Sequence, residues 1–210
     1  MSSDEQLVAA WRSGDQRAGE VLFERYYDAI ARFFYNKVGD RAGDLLQKTF
    51  LACVESLDRI RDDTRFRSYL FGIAHNLLRK HYRTRSRRGP EIDFEETSVH
   101  DLAPSPSKAI AAREEQRLLL EALRHIPLDY QVVIELFYWE NATAAEIAEI
   151  TGAPLGTVKT RIRRGRQLVE DALTTLAGSG ELLHSTVSNL EGWARALRDQ
   201  LGRAGEPDPR

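Results

Sequence analysis

Thirteen residues, Leu155–Gln167, hold five cations and no acid: Lys159, Arg161, Arg163, Arg164 and Arg166. Cations at that density meet phosphates. A guanidinium has the fork to bridge guanine O6 and N7, and a threonine bonds a base edge or touches a thymine methyl. A second concentration of base runs from Arg61 to Arg88, where nine Lys or Arg residues face only Asp62 and Asp63. Phe66, Tyr69, Phe71 and Tyr82 are interleaved with it. That mixture suits phosphate contacts with stacking on unpaired bases. Each pattern has a plainer reading. A basic stretch is also what a solvated helix face or a linker edge shows, and helical spacing favours Phe66, Tyr69 and Phe71 as core residues.

The elements that must hold these groups are legible around them. Thr143 and Glu146 form a T-x-x-E capping box, so a helix starts there. Ile147 and Ile150 supply its apolar side. Gly152 permits a turn with positive φ, and Pro154 suits the first turn of a second helix, where a missing N–H is harmless. In that second helix Leu155, Val158, Ile162 and Val169 point one way. Thr160, Arg163, Arg164 and Gln167 point the other. Thr143–Arg166 therefore reads as a helix-turn-helix with a cationic recognition helix.

Helical periodicity organises the rest. Stretches begin at Ser3, at about Asp15 (through Val38), at about Arg41 (through Leu57) and at about Arg65 (through Arg85). In the third, Leu46, Phe50, Cys53 and Leu57 make one apolar stripe. Residues 86–106 hold three prolines, several acids and no periodicity, which reads as a flexible interdomain linker. Its acids, Glu91, Asp93, Glu95, Glu96 and Asp101, are placed to shield the basic run just before them. Helical patterns resume at 107–125, 129–139, 144–150 and 154–175. The expected fold class is all-α: two helical domains joined by a flexible linker, the second a helix-turn-helix, plus an extra C-terminal amphipathic helix. The divisions fall at 1–86, 87–106, 107–176 and 177–210.

The 210 residues are 30% charged and 42% hydrophobic with net charge −2, an ordinary globular balance that says nothing about partners. One cysteine, Cys53, excludes an internal disulfide, and its apolar setting makes it a small buried hydrophobe. The histidines, His75, His81, His100, His125 and His184, are scattered, so no metal site is expected. No nucleophile constellation or phosphate-cradling glycine loop appears. The chain therefore reads as a binding protein, not an enzyme, with no cofactor. It lacks a secretory signal and a run of about eighteen apolar residues, so no membrane span and a cytoplasmic location are expected.

Four runs taken together resemble the extracytoplasmic-function sigma factors, the shortest branch of the sigma-70 family. They are GDQRAGEVLFERYYDAI (14–30), GDLLQKTFLA (43–52), FRSYLFGIAHNLLRKHYR (66–83) and IPLDYQVVIELFYWENATAAEIAEITGAPLGTVKTRIRRGR (126–166). The resemblance covers residues 5–86 and 107–175. It implies that the first domain docks on the β′ clamp of core RNA polymerase through Asp44, Gln47 and Lys48. Arg61, Asp62, Asp63, Thr64, Arg65 and Phe66, with Asn76 and Lys80, would read the −10 promoter element. Lys159, Thr160, Arg163 and Arg164 would read the −35 element, with Thr157 and Arg161 on phosphates and the domain against the β flap. The linker would run near the template strand. Two residues depart from the family pattern. Lys48 stands where Glu is usual, a charge reversal that implies either a compensating acid such as Glu55 or a modest affinity for polymerase. Gly165 stands where Ala is usual, at about 1 kcal/mol in helix propensity.

Residues 181–203 extend past that family's usual end. Leu183, Val187, Leu190, Leu197 and Leu201 share a face that one helix cannot bury alone. It either packs back on the second domain or docks elsewhere, on an anti-sigma factor or over the DNA face. Two other functions fit parts of the chain: a self-sufficient helix-turn-helix regulator binding duplex DNA as a dimer, and a helical scaffold with no DNA affinity.

Overall fold

The computed structural model describes residues 2–60, 63–85, 91–102 and 114–177, and Gly192. The C-terminal amphipathic pattern lies outside the described residues. The described elements are helices α1 (Asp4–Arg12), α2 (Gln16–Val38), α3 (Ala42–Glu55), α4 (Phe66–Arg85), α5 (Val99–Leu102), α6 (Glu114–His125), α7 (Leu128–Tyr138), α8 (Ala144–Thr151) and α9 (Leu155–Leu176). Short 3-10 turns occupy Gly39–Arg41, Leu57–Arg59 and Asp63–Arg65. Among the described residues there is one isolated β-bridge, Ser98 to Pro127, and no strand. The all-α class with two helical domains is as expected.

Local chemistry sets the helix ends. Ser3 and Gln6 form a reciprocal capping box at α1, and Asp15 caps α2 through the amides of Arg17 and Ala18. Thr143 and Glu146 cap α8 the same way, and Gly152 closes it in the left-handed region at φ 71°. Pro154 stands just before α9, one position earlier than the first helical turn.

The buried faces differ from the sequence pattern in three helices: α3, α4 (where the spacing of Phe66, Leu70, Ile73, Leu77 and Tyr82 marked the apolar side) and α9. In α3 the core takes Leu45, Leu46, Thr49 and Cys53, while Leu51 and Val54 are exposed. In α4 it takes Phe66, Leu70, Phe71, Ala74, His75, Leu78 and Tyr82, and Ile73 is only half-buried. Leu155, assigned to the inner face of α9, is exposed. It sits in the first turn of α9, beyond the helices that cover Val158 and Val169.

One hydrophobic core runs through both domains. It joins Leu22, Ile30, Phe34, Phe71 and Leu78 of the first to Leu128, Val132, Leu136, Ile147 and Ile150 of the second. A smaller core inside the second domain gathers Leu119, Leu123, Ile134, Trp139, Val169 and Leu173. Among the described residues, five ion pairs surround the interdomain seam, all of one polarity. Arg32 meets Glu140 at 3.0 Å, Arg65 meets Glu149 at 2.5 Å, Arg67 meets Glu146 at 3.3 Å, Arg79 meets Asp129 at 2.6 Å, and Lys37 meets Glu135. The base always comes from the first domain and the acid from the second.

The linker expectation needs correction over 91–102. Ile92, Phe94 and Val99 are buried in the shared core, although the segment has no periodic pattern. The reason lies at α7, whose cap position is Pro127 with no side-chain cap. The orphan amides of Leu128 and Asp129 bond the carbonyls of Thr97 and Phe94, each at 3.0 Å. The linker backbone therefore caps α7, and three apolar side chains follow it inward.

Candidate nucleic-acid interface

The outer face of α9 is built by the capping box, the Gly152 turn and the Val158/Val169 anchor beneath it. Lys159, Thr160, Arg163 and Arg164 stand exposed on it, and Thr157 is half-buried. The Thr160 hydroxyl donates to the Gly156 carbonyl at 3.0 Å. Arg161 behaves differently. Its side chain is 11% exposed and pairs with Asp129 at 3.1 Å and with Glu95 of the linker. It is therefore held internally rather than offered to a phosphate.

Gly165 lies on the inner side of α9. A Cβ there would stand 2.8 Å from Ile134 Cγ1 and 3.1 Å from its Cδ1. The glycine thus lets α9 press against α7 more closely than alanine would allow.

The candidate −10 residues are not gathered into one open face. Arg61 and Asp62 lie outside the described residues. Asp63 is paired with Arg12 of α1 at 2.8 Å. Arg65 is bridged to Glu149 of α8, and Thr64 is exposed. Phe66, assigned to base reading, is fully buried against Tyr26, with ring centroids 5.7 Å apart. Its position is a core position, as its helical spacing allowed. Asn76 and Lys80 are exposed. Among the described residues, no linker acid is paired with this basic run. Glu95 instead reaches Arg161, and Phe94 lies under the Arg79 guanidinium, 4.4 Å from its ring centroid.

A third surface lies between α2 and α3. It is a groove lined by Phe23, Tyr27, Leu46, Phe50, Leu51 and Val54, with Glu24, Asp28, Asp44, Gln47 and Lys48 among its polar residues. Tyr27, Leu51 and Val54 are 44%, 55% and 48% exposed, a contiguous apolar area of the kind that marks a protein contact. Asp44, Gln47 and Lys48 are all exposed on α3. Lys48 pairs with Asp44 at 2.8 Å, and that hydrogen bond holds the Asp44 carboxyl below its usual range. Glu55 does not line the groove; the acids that do, besides Asp44, are Glu24 and Asp28 of α2.

Sequence reasoning missed this apolar groove. The signal was the alternation of Phe50, Leu51 and Val54, which puts apolar side chains on more than one face of α3. It also missed the acids that bind the domains together, because pairing across 50 to 108 residues leaves no local pattern. Lys37 is the sharpest case. It is fully buried, which lowers its pKa, and the neighbouring Glu135 opposes that shift.

Residues 22–88 match the family described as sigma-70 region 2, and residues 116–169 match sigma-70 region 4. The RNA polymerase sigma-H factor of Pseudomonas aeruginosa is 30% identical, over 82% of this chain and 95% of its own length. The ECF RNA polymerase sigma-E factor of Haemophilus influenzae is 27% identical, over 83% and 97%. Among solved structures, CnrH in complex with the cytosolic domain of CnrY has a TM-score of 0.60 and 26% identity, covering 84% of this chain and all of that one. The sigma factor RpoE from Bartonella quintana, in complex with the anti-sigma factor NepR, shares the fold at TM-score 0.58 and 22% identity. With a relative at this identity matched over nearly its full length, the chain belongs to the sigma-70 family of RNA polymerase sigma factors, in its extracytoplasmic-function branch.

Proposed function

We propose that this chain is a cytoplasmic promoter-specificity subunit without catalytic activity. It docks on core RNA polymerase through the α2/α3 groove, with Asp44, Gln47 and Lys48 on that contact. It reads the −35 element through Lys159, Thr160, Arg163 and Arg164 of α9. The −10 element falls to Asn76, Lys80 and the turn around Asp63–Arg65, with Arg61 and Asp62 beside it. One observation carries this reading. The bases along the interdomain seam are each paired with an acid, whereas Lys159, Arg163 and Arg164 on α9 face outward with no ion-pair partner among the described residues. That face is built for an external anion.

Size arithmetic adds a requirement. Elements 25 base pairs apart are about 85 Å apart along B-DNA at ~3.4 Å per step. A compact chain of this length has a radius of gyration of about 17 Å. The closed molecule therefore cannot touch both elements, and the domains must separate. Residues 86–113 supply about 95 Å when fully extended, enough for the task once 91–102 unpacks. Opening also releases Arg161 from Glu95 and frees Arg65 and Arg79 for phosphates. An anti-sigma factor that holds the closed form, or covers the α2/α3 groove, is the regulatory partner this scheme accommodates.

The test is promoter binding by fluorescence anisotropy with and without core polymerase. Tight sequence-specific binding is expected only with polymerase. Arg163→Ala should cost about 1–3 kcal/mol on the cognate −35 sequence if its contact is bidentate, and little on a scrambled one. Specific duplex binding by the chain alone would favour the self-sufficient regulator.

A further inference from the structure

His100, Glu121 and His125 come together on the surface of the second domain, and we infer that they form a site for a borderline divalent metal ion of the zinc class. His100 belongs to α5 in the linker, whereas Glu121 and His125 are one turn apart on α6. Among the described residues this is the group of three whose ligand atoms lie within 4.8 Å of one another. Glu121 Oε1 is 3.6 Å from His100 Nδ1 and 3.4 Å from His125 Nε2. Ligands about 2.0–2.1 Å from a tetrahedral ion are about 3.3 Å from each other. The observed separations are already close to that spacing. The two imidazole rings lie face to face, with centroids 4.0 Å apart and planes 26° apart, so the ligand atoms are gathered and the rings must turn out of their stack for both lone pairs to meet one ion.

The donor set decides the class of ion. Two imidazoles and one carboxylate suit zinc, nickel, cobalt or copper, whereas magnesium and calcium seek oxygen ligands. Three protein ligands leave a fourth position for water. The carboxylate is divided between two roles. Its Oε1 faces the histidines, and its Oε2 lies 3.9 Å from the Arg124 guanidinium. Arg124 is itself anchored to the Asn36 carbonyl at 3.0 Å. Asp101, bonded to the Ser98 hydroxyl and amide, holds the start of α5 beside the site.

The ion's place in the chain gives it a consequence. It would fasten the linker to α6 at His100, and with it the segment that caps α7 and carries Glu95 onto Arg161. Given the promoter reading above, that fastening opposes opening. Only residues 86–99 would remain free between the domains, about 48 Å of extended chain in place of the about 95 Å of residues 86–113.

The experiment is zinc titration of the full chain by calorimetry, with hydrogen exchange followed in parallel and magnesium as the comparison ion. One zinc per chain should bind, with no magnesium binding at that site. His100→Ala and His125→Ala should each weaken zinc binding by roughly tenfold or more. Zinc should slow amide exchange across residues 94–102 in the unmodified chain and not in His100→Ala. Absence of zinc binding, or zinc binding unchanged in both variants, overturns the site. Binding lost in the variants without slower exchange at 94–102 overturns the fastening. Neither readout involves polymerase or DNA, so a failure here leaves the promoter reading untouched, and the reverse holds.

Discussion

At the scale of single residues, burial decides chemistry that composition leaves open. Cys53 is wholly buried and its thiol is pushed up to about 12, so it stays protonated and packs as a hydrophobe. His75 is the instructive titratable group. Burial in α4, with Arg79, Lys37 and Arg161 around it, pushes its pKa down to about 3. The folded pKa lies below the ordinary histidine value of about 6.5. Above pH 6.5 the imidazole is neutral in both states and adds no pH dependence. As pH falls from 6.5 toward 3, the unfolded chain takes up a proton that the folded chain refuses, so stability falls. Between pH 7 and 5 this group should remove about 2 kcal/mol from the free energy of unfolding. Urea unfolding of the unmodified chain and of His75→Gln at both pH values checks it. The variant should lose about 2 kcal/mol less over that interval, and parallel losses would contradict the assignment.

At the scale of elements, α9 shows two preferences in competition. Glycine at 165 forgoes about 1 kcal/mol of helix propensity relative to alanine. In return the helix sits against Ile134 at a distance a Cβ would violate. Overpacking of this kind costs about 1–3 kcal/mol, so Gly165→Ala should be net destabilising by about 1 kcal/mol. In an Ile134→Ala background, which removes the clashing atoms, the same substitution should become stabilising. A double-mutant cycle from thermal or urea unfolding measures the reversal. The helix-turn-helix was legible in the sequence because its determinants are local: a cap, a turn glycine and an apolar period. The inner face of α4 was legible only in outline. His75 and Ala74 lie at the core position, and nothing in their types distinguishes them from a solvated residue.

At the scale of the whole molecule, the two domains are held by a shared apolar core and a seam of oriented charge. The fully buried pair, Lys37 with Glu135, is also tied to Gln131, Asn36 and the Phe33 carbonyl. A buried pair adds little net stability over an apolar pair of similar volume, but removing one partner strands the other at about 3–5 kcal/mol. Glu135→Gln should therefore weaken the closed form by about that amount. Small-angle scattering should show a larger radius of gyration than the unmodified chain, with both domains still helical by circular dichroism. The double variant Lys37→Met with Glu135→Leu should return the compact radius. An unchanged radius in Glu135→Gln would mean that the apolar seam alone holds the domains.

By itself the sequence determined the long helices, the capping box of α8, the cationic outer face of α9 and the family. The helices and caps rest on residues within a few turns of each other, where period and cap chemistry act, and the family rests on the order of four such local runs. Only the tertiary structure decided that Phe66 is core and that Arg161 is tied to Asp129 and Glu95. The same holds for the packing of 91–102 as the cap of α7, and for the meeting of His100 with His125. Each of those outcomes depends on groups that the chain separates by dozens of residues. Their pairing follows from which orphan amide, charge or apolar face the closed fold leaves to be satisfied.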